Sequence, residues 1–203
     1  EYYESGRKLP IELMDEVRLA MADVEKDLGK KFGDAADPLL VSVRSGAKFS
    51  MPGMMDTVLN LGLNEVTIKA LIAETGNPRF VYDSYRRFIM MLADVAFGLS
   101  KHHFDNHIFA EYKKKVGAAQ DLDLNAEHLE EVSNLFLSFF KEKTGRDFPS
   151  DPWEQLELSV EAVFRSWNND RAIVYRRMEK IPDEIGTAVN IQSMVYGNMG
   201  DES

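Results

Sequence analysis

The sequence predicts a mostly helical α+β domain, and three observations carry that expectation. Apolar residues recur at three- and four-residue steps over most of the chain, which stacks them on helix faces. Two short β-prone runs, Leu39–Val43 and Thr187–Val195, lie on either side of the helical part. With 44% hydrophobic and 29% charged residues, the chain can fill a core and is too apolar to stay disordered.

The elements follow in order. Pro10 suits a first helical turn, and Ile11, Met14, Val17, Met21, Val24, Leu28 and Phe32 share one face of the helix it opens. Gly33-Asp34-Ala35-Ala36-Asp37-Pro38 breaks that helix before the first β-prone run, which ends on Arg44-Ser45-Gly46. Asn64 caps a helix predicted over 65–74, and further helices are predicted over 78–97, 104–115 and 126–143. Asn125 caps the last of these and Gly145 closes it. Asp151-Pro152 pairs a cap with a first-turn proline and opens a long helix predicted to reach Lys180, with Trp153, Leu156, Val160, Val163, Phe164 and Trp167 as its core face. There is no internal repeat.

Composition excludes several function classes. The 24 Lys+Arg against 34 Asp+Glu leave a net charge of −10, a poor match to the phosphate backbone of nucleic acid. Cysteine is absent, so neither a disulfide scaffold nor a cysteine-ligated zinc site can form. The longest apolar stretch, Phe88 to Leu99, carries Asp94 and falls short of the roughly 20 residues that cross a bilayer. The chain opens on Glu1 and stops at Gly197–Ser203, a run that reads as a turn leading onward. The expectation is a piece of a longer polypeptide, with the remaining strands of its sheet in the flanks, since sheets usually hold about 4 to 6 strands.

The segment richest in chemistry runs from Val43 to Thr57. An arginine ending a buried strand offers rigid donors that match carboxylate or phosphate oxygens. Ser45 adds a hydroxyl beside it, and Gly53 lets backbone amides approach an anion closely. These features suit a polyphosphate. Spacing alone favours a strand, a turn at Pro52-Gly53, methionines filling the core and Arg44 in a structural ion pair, since short glycine-containing loops are common and no Walker-type lysine pattern is present.

The string VSVRSGAKFSMPGMMDTVLNLGLN, Val41 to Asn64, closely resembles the nucleotide-binding domain of the pyruvate, phosphate dikinase family. NDRAIVYRR at Asn169–Arg177 and TAVNIQSMVYGNMG at Thr187–Gly200 are similar to later segments of that domain, in the same order. The related water dikinases share the Val-Arg-Ser strand end but have an acidic loop in place of MPGMMDT.

The resemblance implies a partial ATP-grasp domain with an inserted helical subdomain: 1–63 as its first part, 64–147 as the insertion, and 148–203 as a long helix and return strand. It implies ATP as ligand, with Arg44 stabilising the charge that develops as phosphoryl groups transfer. Ser45, Met51, Gly53, Met54, Met55, Asp56 and Thr57 would join Arg44 in binding the phosphates, and Gln192, Met194 and Val195 would line the adenine slot. The lysine that binds ATP in the family would lie upstream, and the Mg²⁺ ligands would lie outside this chain, as would the phosphohistidine and pyruvate-binding domains. The parent would be a cytoplasmic or plastid homodimer. A non-catalytic helical interaction module retaining the Arg44 loop is the alternative from another class.

His103, His107 and Glu111 fall at i, i+4 and i+8 on one predicted helix, a spacing that could present metal ligands. Without an H-E-x-x-H signature they read as a polar surface stripe, so no metal site is expected within the chain.

Overall fold

Gly29 decides where the first helix stops. In the computed structural model, which describes residues 2–196, α1 spans Leu13–Leu28 and Gly29 closes it at φ 67°. That left-handed geometry suits glycine and ends a helix. The apolar spacing predicted a helix continuing to Phe32. Instead Lys31–Phe32 forms β1, which pairs in parallel with β2 at Pro38–Leu39, and Phe32 is buried edge-on against Trp153.

The main sheet has the order β4-β3-β5, with β3 at Val41–Ser45, β4 at Thr57–Leu61 and β5 at Val189–Ser193, all antiparallel neighbours. Val41, Val43, Val58 and Leu61 are fully buried. β4 is a strand that the residue pattern did not announce. Its pairing with β3 is interrupted by a register shift between Val41 and Val43, and Asn60 within it adopts φ 61°.

Three of the helices that follow β4 start from asparagine side-chain caps. Asn64 Oδ1 accepts from the amides of Val66 and Thr67 to begin α2, Glu65–Thr75. Asn77 begins α3, Pro78–Phe97, and Asn125 begins α5, Ala126–Thr144, which Gly145 closes. Such caps satisfy amides that have no partner within the helix. Between α3 and α5, a π-helical segment at His103–Phe109 runs into α4, Ala110–Val116.

The long helix predicted over 152–180 is two helices. α6 spans Pro152–Ser166 and α7 spans Asp170–Glu179. Asn169 starts the second by accepting from the Ala172 amide at 2.8 Å. Arg176 secures the corner from below. It is 1% exposed, sits 4.2 Å from the Trp167 ring, and donates to the Trp167 carbonyl, Asn168 Oδ1 and Asp183 Oδ1.

One apolar core runs from Met14 on α1, through the sheet and the α3–α5 pair, to Val163 on α6. A smaller one gathers Met51, Met55, Trp167, Ala172 and Ile181. Within the described residues no helix is long and apolar enough to cross a membrane. The turn read at Gly197–Ser203 lies outside the described residues.

Candidate functional site

Strand β3 delivers Arg44 to one end of the sheet, opposite Thr57 of β4 on one side and Asn190 of β5 on the other. The Arg44 side chain is exposed, and its guanidinium donates to Gln192 Oε1 at 3.5 Å. Among the described residues it has no carboxylate partner. The structural ion pair that spacing allowed is therefore absent there.

After β3 the chain turns into a loop that returns at Thr57. The Gly46 amide donates to the Ala188 carbonyl at 2.7 Å. A Cβ at Gly46 would sit 3.0 Å from Asn190 Nδ2, so the glycine leaves room for that amide. Arg44, Lys48, Ser50, Gly53, Thr57 and Asn190 line the resulting open cleft of about 550 Å³. Two cations and several neutral donors thus converge in a chain of net charge −10, a local reversal of sign that favours an anion.

The predicted phosphate-loop residues divide into two sets. Pro52 and Gly53 form an exposed tip, where Gly53 takes φ 72° and a Cβ would meet nothing within 4 Å. The rest is anchored. Met51 and Met55 are buried in the smaller core, and the Met54 carbonyl accepts from Asn169 Nδ2 at 3.0 Å. The Asp56 amide donates to Ser166 Oγ at 3.1 Å, and its carboxylate accepts from Arg171 at 2.9 Å. Burial pushes the Asp56 carboxyl above its ordinary pKa against the pull of Arg171, with Asp94 adding to the rise. The methionines filling a core and the open glycine tip are thus both features of one loop.

The three predicted adenine residues are not gathered at one place. Gln192 reaches Arg44. The Met194 amide donates to the Leu40 carbonyl at 2.9 Å, while Met194 lines a different cavity, of about 280 Å³, with Leu39, Leu71, Phe80 and Tyr196. Val195 is 83% exposed.

Lys48 and Asn190 had no role in the sequence reading. Lys48 was visible within the resembling string as a second cation four residues past Arg44. Asn190 reaches the cleft only through the β3–β5 register, which no local pattern encodes. His103, His107 and Glu111 lie on the exposed side of the π segment and α4, with the two imidazoles 4.9 Å apart and Glu111 paired to Lys114 at 2.7 Å. Among the described residues no three His, Asp or Glu side chains are grouped to hold a metal ion.

Comparison with known proteins gives the family of the chain. Residues 7–200 match the family model described as "Pyruvate phosphate dikinase, AMP/ATP-binding domain". The chain is 54% identical over 204 residues to a pyruvate, phosphate dikinase of Clostridium symbiosum, covering 100% of this chain and 23% of that protein. It is 50% identical over 201 residues to one of Giardia intestinalis, covering 99% of this chain and 23% of the relative. To the chloroplastic pyruvate, phosphate dikinase 1 of Arabidopsis thaliana it is 48% identical over 203 residues, 100% of this chain and 21% of the relative. The chain thus spans less than a quarter of the length of these curated relatives. With the family model matched over residues 7–200 and about half of all positions identical along the whole chain, the chain belongs to the family of pyruvate phosphate dikinase AMP/ATP-binding domains.

Proposed function

We propose that this chain is the phosphate-gripping part of a pyruvate, phosphate dikinase, an enzyme that converts ATP, pyruvate and phosphate to AMP, phosphoenolpyruvate and pyrophosphate. On this reading the β-phosphoryl group passes to a histidine on another domain of the same parent chain and the γ-phosphoryl group passes to inorganic phosphate. The observation that carries the reading is the exposed Arg44 guanidinium, without a carboxylate partner among the described residues, beside Lys48 at the mouth of the loop.

Phosphoryl transfer asks little covalent chemistry of a protein and much positioning of positive charge. Arg44 would bridge the transferring phosphates and stabilise the charge that builds up on their oxygens. Ser45 and the backbone of Met51, Gly53 and Met55 would donate to the β- and γ-phosphates, with Met54, whose amide donates to the Met51 carbonyl at 3.1 Å, holding the turn and Asp56 and Thr57 closing the loop at its β4 end. Lys48 and Asn190 would add a cation and a neutral donor. Gln192, Met194 and Val195 would face the base, which requires the segment after β5 to meet a further part of the parent. Mg²⁺, if bound as the chemistry of ATP suggests, would neutralise phosphate charge on ligands outside this sequence.

The wider reading has 64–147 as a helical insertion into an ATP-grasp fold formed by 1–63, 148–203 and flanking chain. The parent would be a homodimer of the cytoplasm or a plastid.

The test uses the full-length protein: AMP and pyrophosphate formed from ATP and pyruvate, with and without inorganic phosphate, in wild type and Arg44→Ala. Phosphate-dependent pyrophosphate that disappears in the variant supports the reading. AMP formed without a phosphate requirement would point instead to a water dikinase, and no turnover by an intact wild type would remove the catalytic reading altogether.

A further inference from the structure

The corner between α6 and α7 grips the loop that carries the candidate phosphate site, yet no residue of that corner belongs to the site itself. Ser166 Oγ accepts from the Asp56 amide at 3.1 Å. Asn169 donates through Nδ2 to the Met54 carbonyl at 3.0 Å while its Oδ1 accepts from the Ala172 amide at 2.8 Å, so one side chain both starts α7 and holds the loop. Arg171, two residues further on, donates to Asp56 Oδ1 at 2.9 Å. Met51 and Met55 pack against Trp167 and Ala172 of the same corner. The corner is itself held from below by the buried Arg176.

We infer that Arg171 is a positioning residue for ATP: by tying Asp56 to α7 it sets the height of the Gly53 tip over the Arg44 cleft. The inference rests on the reading of residues 51–57 as a phosphate loop. Arg171 lines no part of the cleft and acts only through Asp56, whose backbone continues directly into Thr57 at the cleft wall. A loop pinned at its base and free at its tip presents its amides at a fixed distance, and small errors in such placement cost a reaction heavily.

The charges facing Asp56 come from three helices: Arg171 of α7, Arg165 of α6 and Asp94 of α3. Removing Arg171 leaves a half-buried carboxylate with Asp94 as its like-charged neighbour. In the wild type the tie is lost from the acid side as Asp56 takes up a proton, whereas without Arg171 the tie is absent at every pH.

The experiment compares Arg171→Met, Arg171→Lys, Asp56→Asn and Gly53→Val in the full-length enzyme, reading kcat and KM for ATP and for pyruvate across pH. Arg171→Met should lose roughly tenfold to a hundredfold in kcat/KM for ATP, leave the pyruvate KM unchanged, and lose the acid limb that protonation of Asp56 gives the wild-type ATP profile. Arg171→Lys should restore most of the loss, and Arg171→Met combined with Asp56→Asn should be no worse than Asp56→Asn alone. Because Arg171 is 58% exposed, melting temperature should fall by no more than a few degrees, and Arg171→Gln serves the same comparison if the Met variant is insoluble. ATP kinetics and a pH profile identical to wild type in Arg171→Met, with activity lost in Gly53→Val, would overturn the positioning role and leave the phosphate loop standing. Unchanged ATP kinetics in all the variants would instead reject the loop reading.

Discussion

Arg44 and Gln192 meet through a neutral acceptor: the guanidinium donates to the amide oxygen at 3.5 Å across the β3–β5 pair. An amide steadies the arginine without cancelling its charge, which leaves the cation available to an anion. A carboxylate at the same position would form an ion pair and compete with phosphate.

Gln192→Glu should therefore weaken ATP more than removal of the amide does. In the full-length enzyme the expected rise in ATP KM is about tenfold, equivalent to about 1.4 kcal/mol, with Gln192→Met closer to wild type. Raised salt should recover part of the Glu defect by screening. A KM that ignores the new charge would mean that the Arg44 cation does not contact ATP.

The buried amide of Gln155 ties the turn after β4 to the segment that precedes α6. Its Oε1 accepts from the Gly62 amide at 3.0 Å, and its Nε2 donates to the carbonyls of Leu63 and Pro149 at 3.0 and 2.9 Å. Gln155→Leu strands all of these backbone groups out of reach of water. At about 1–3 kcal/mol for a buried group left unsatisfied, the loss in unfolding free energy should be about 3 kcal/mol. Urea titration checks it, and a loss below about 1 kcal/mol would show that water enters and takes over the bonds.

How much of this was legible in advance differs by element. The capped helices were, because Asn64, Asn125 and Gly145 do their work within a few residues of where they stand. The end of α1 was not, because Phe32 keeps the apolar step from Leu28 while being buried by a strand bridge. β4 escaped notice because its pairing is bulged and Asn60 departs from strand geometry. The break after α6 had a local signal in Asn168-Asn169-Asp170, outweighed by the apolar period on both sides. In the candidate site, Arg44 and the glycine tip could be read from residue chemistry, whereas Asn190 and the grip of Arg171 on Asp56 depend on contacts between segments more than 100 residues apart. Such pairings leave no mark in local sequence.

On the proposed reading, residues 1–203 by themselves should bind ATP weakly. Arg44 and Lys48 are the cations that line the cleft, and both stand in open solvent, where charge pairs contribute little. A Kd of about 0.1 mM or weaker by calorimetry is expected, corresponding to no more than about 5.5 kcal/mol. Nanomolar affinity would show that the site is already complete within this chain.

The Asp121 carboxylate ties the segment before α5 to α3 and α4, and its contribution should be visible as a pH dependence of stability. It accepts from Lys113 at 2.7 Å and from Arg86 at 3.3 Å, and Arg86 is itself 3% exposed. Burial pushes the carboxyl up, but the hydrogen bond and charge of Lys113, with Arg86 and Arg87, outweigh it, and the net shift is downward. A carboxyl with a folded-state pKa below its unfolded value of about 3.9 stabilises the fold above that value, and loses the contribution as pH falls through the folded pKa. Asp121→Asn lacks the contribution at every pH. The urea midpoint of the variant should therefore lie below that of the wild type by a constant amount from about pH 7 to about pH 5, and the gap should close as the pH drops below about 4. Arg86 keeps its pair with Asp83 at 2.6 Å, so the variant should still fold cooperatively. A gap that persists unchanged into acid would assign the effect to the hydrogen-bonding shape of the side chain, which asparagine only partly reproduces, and not to its charge.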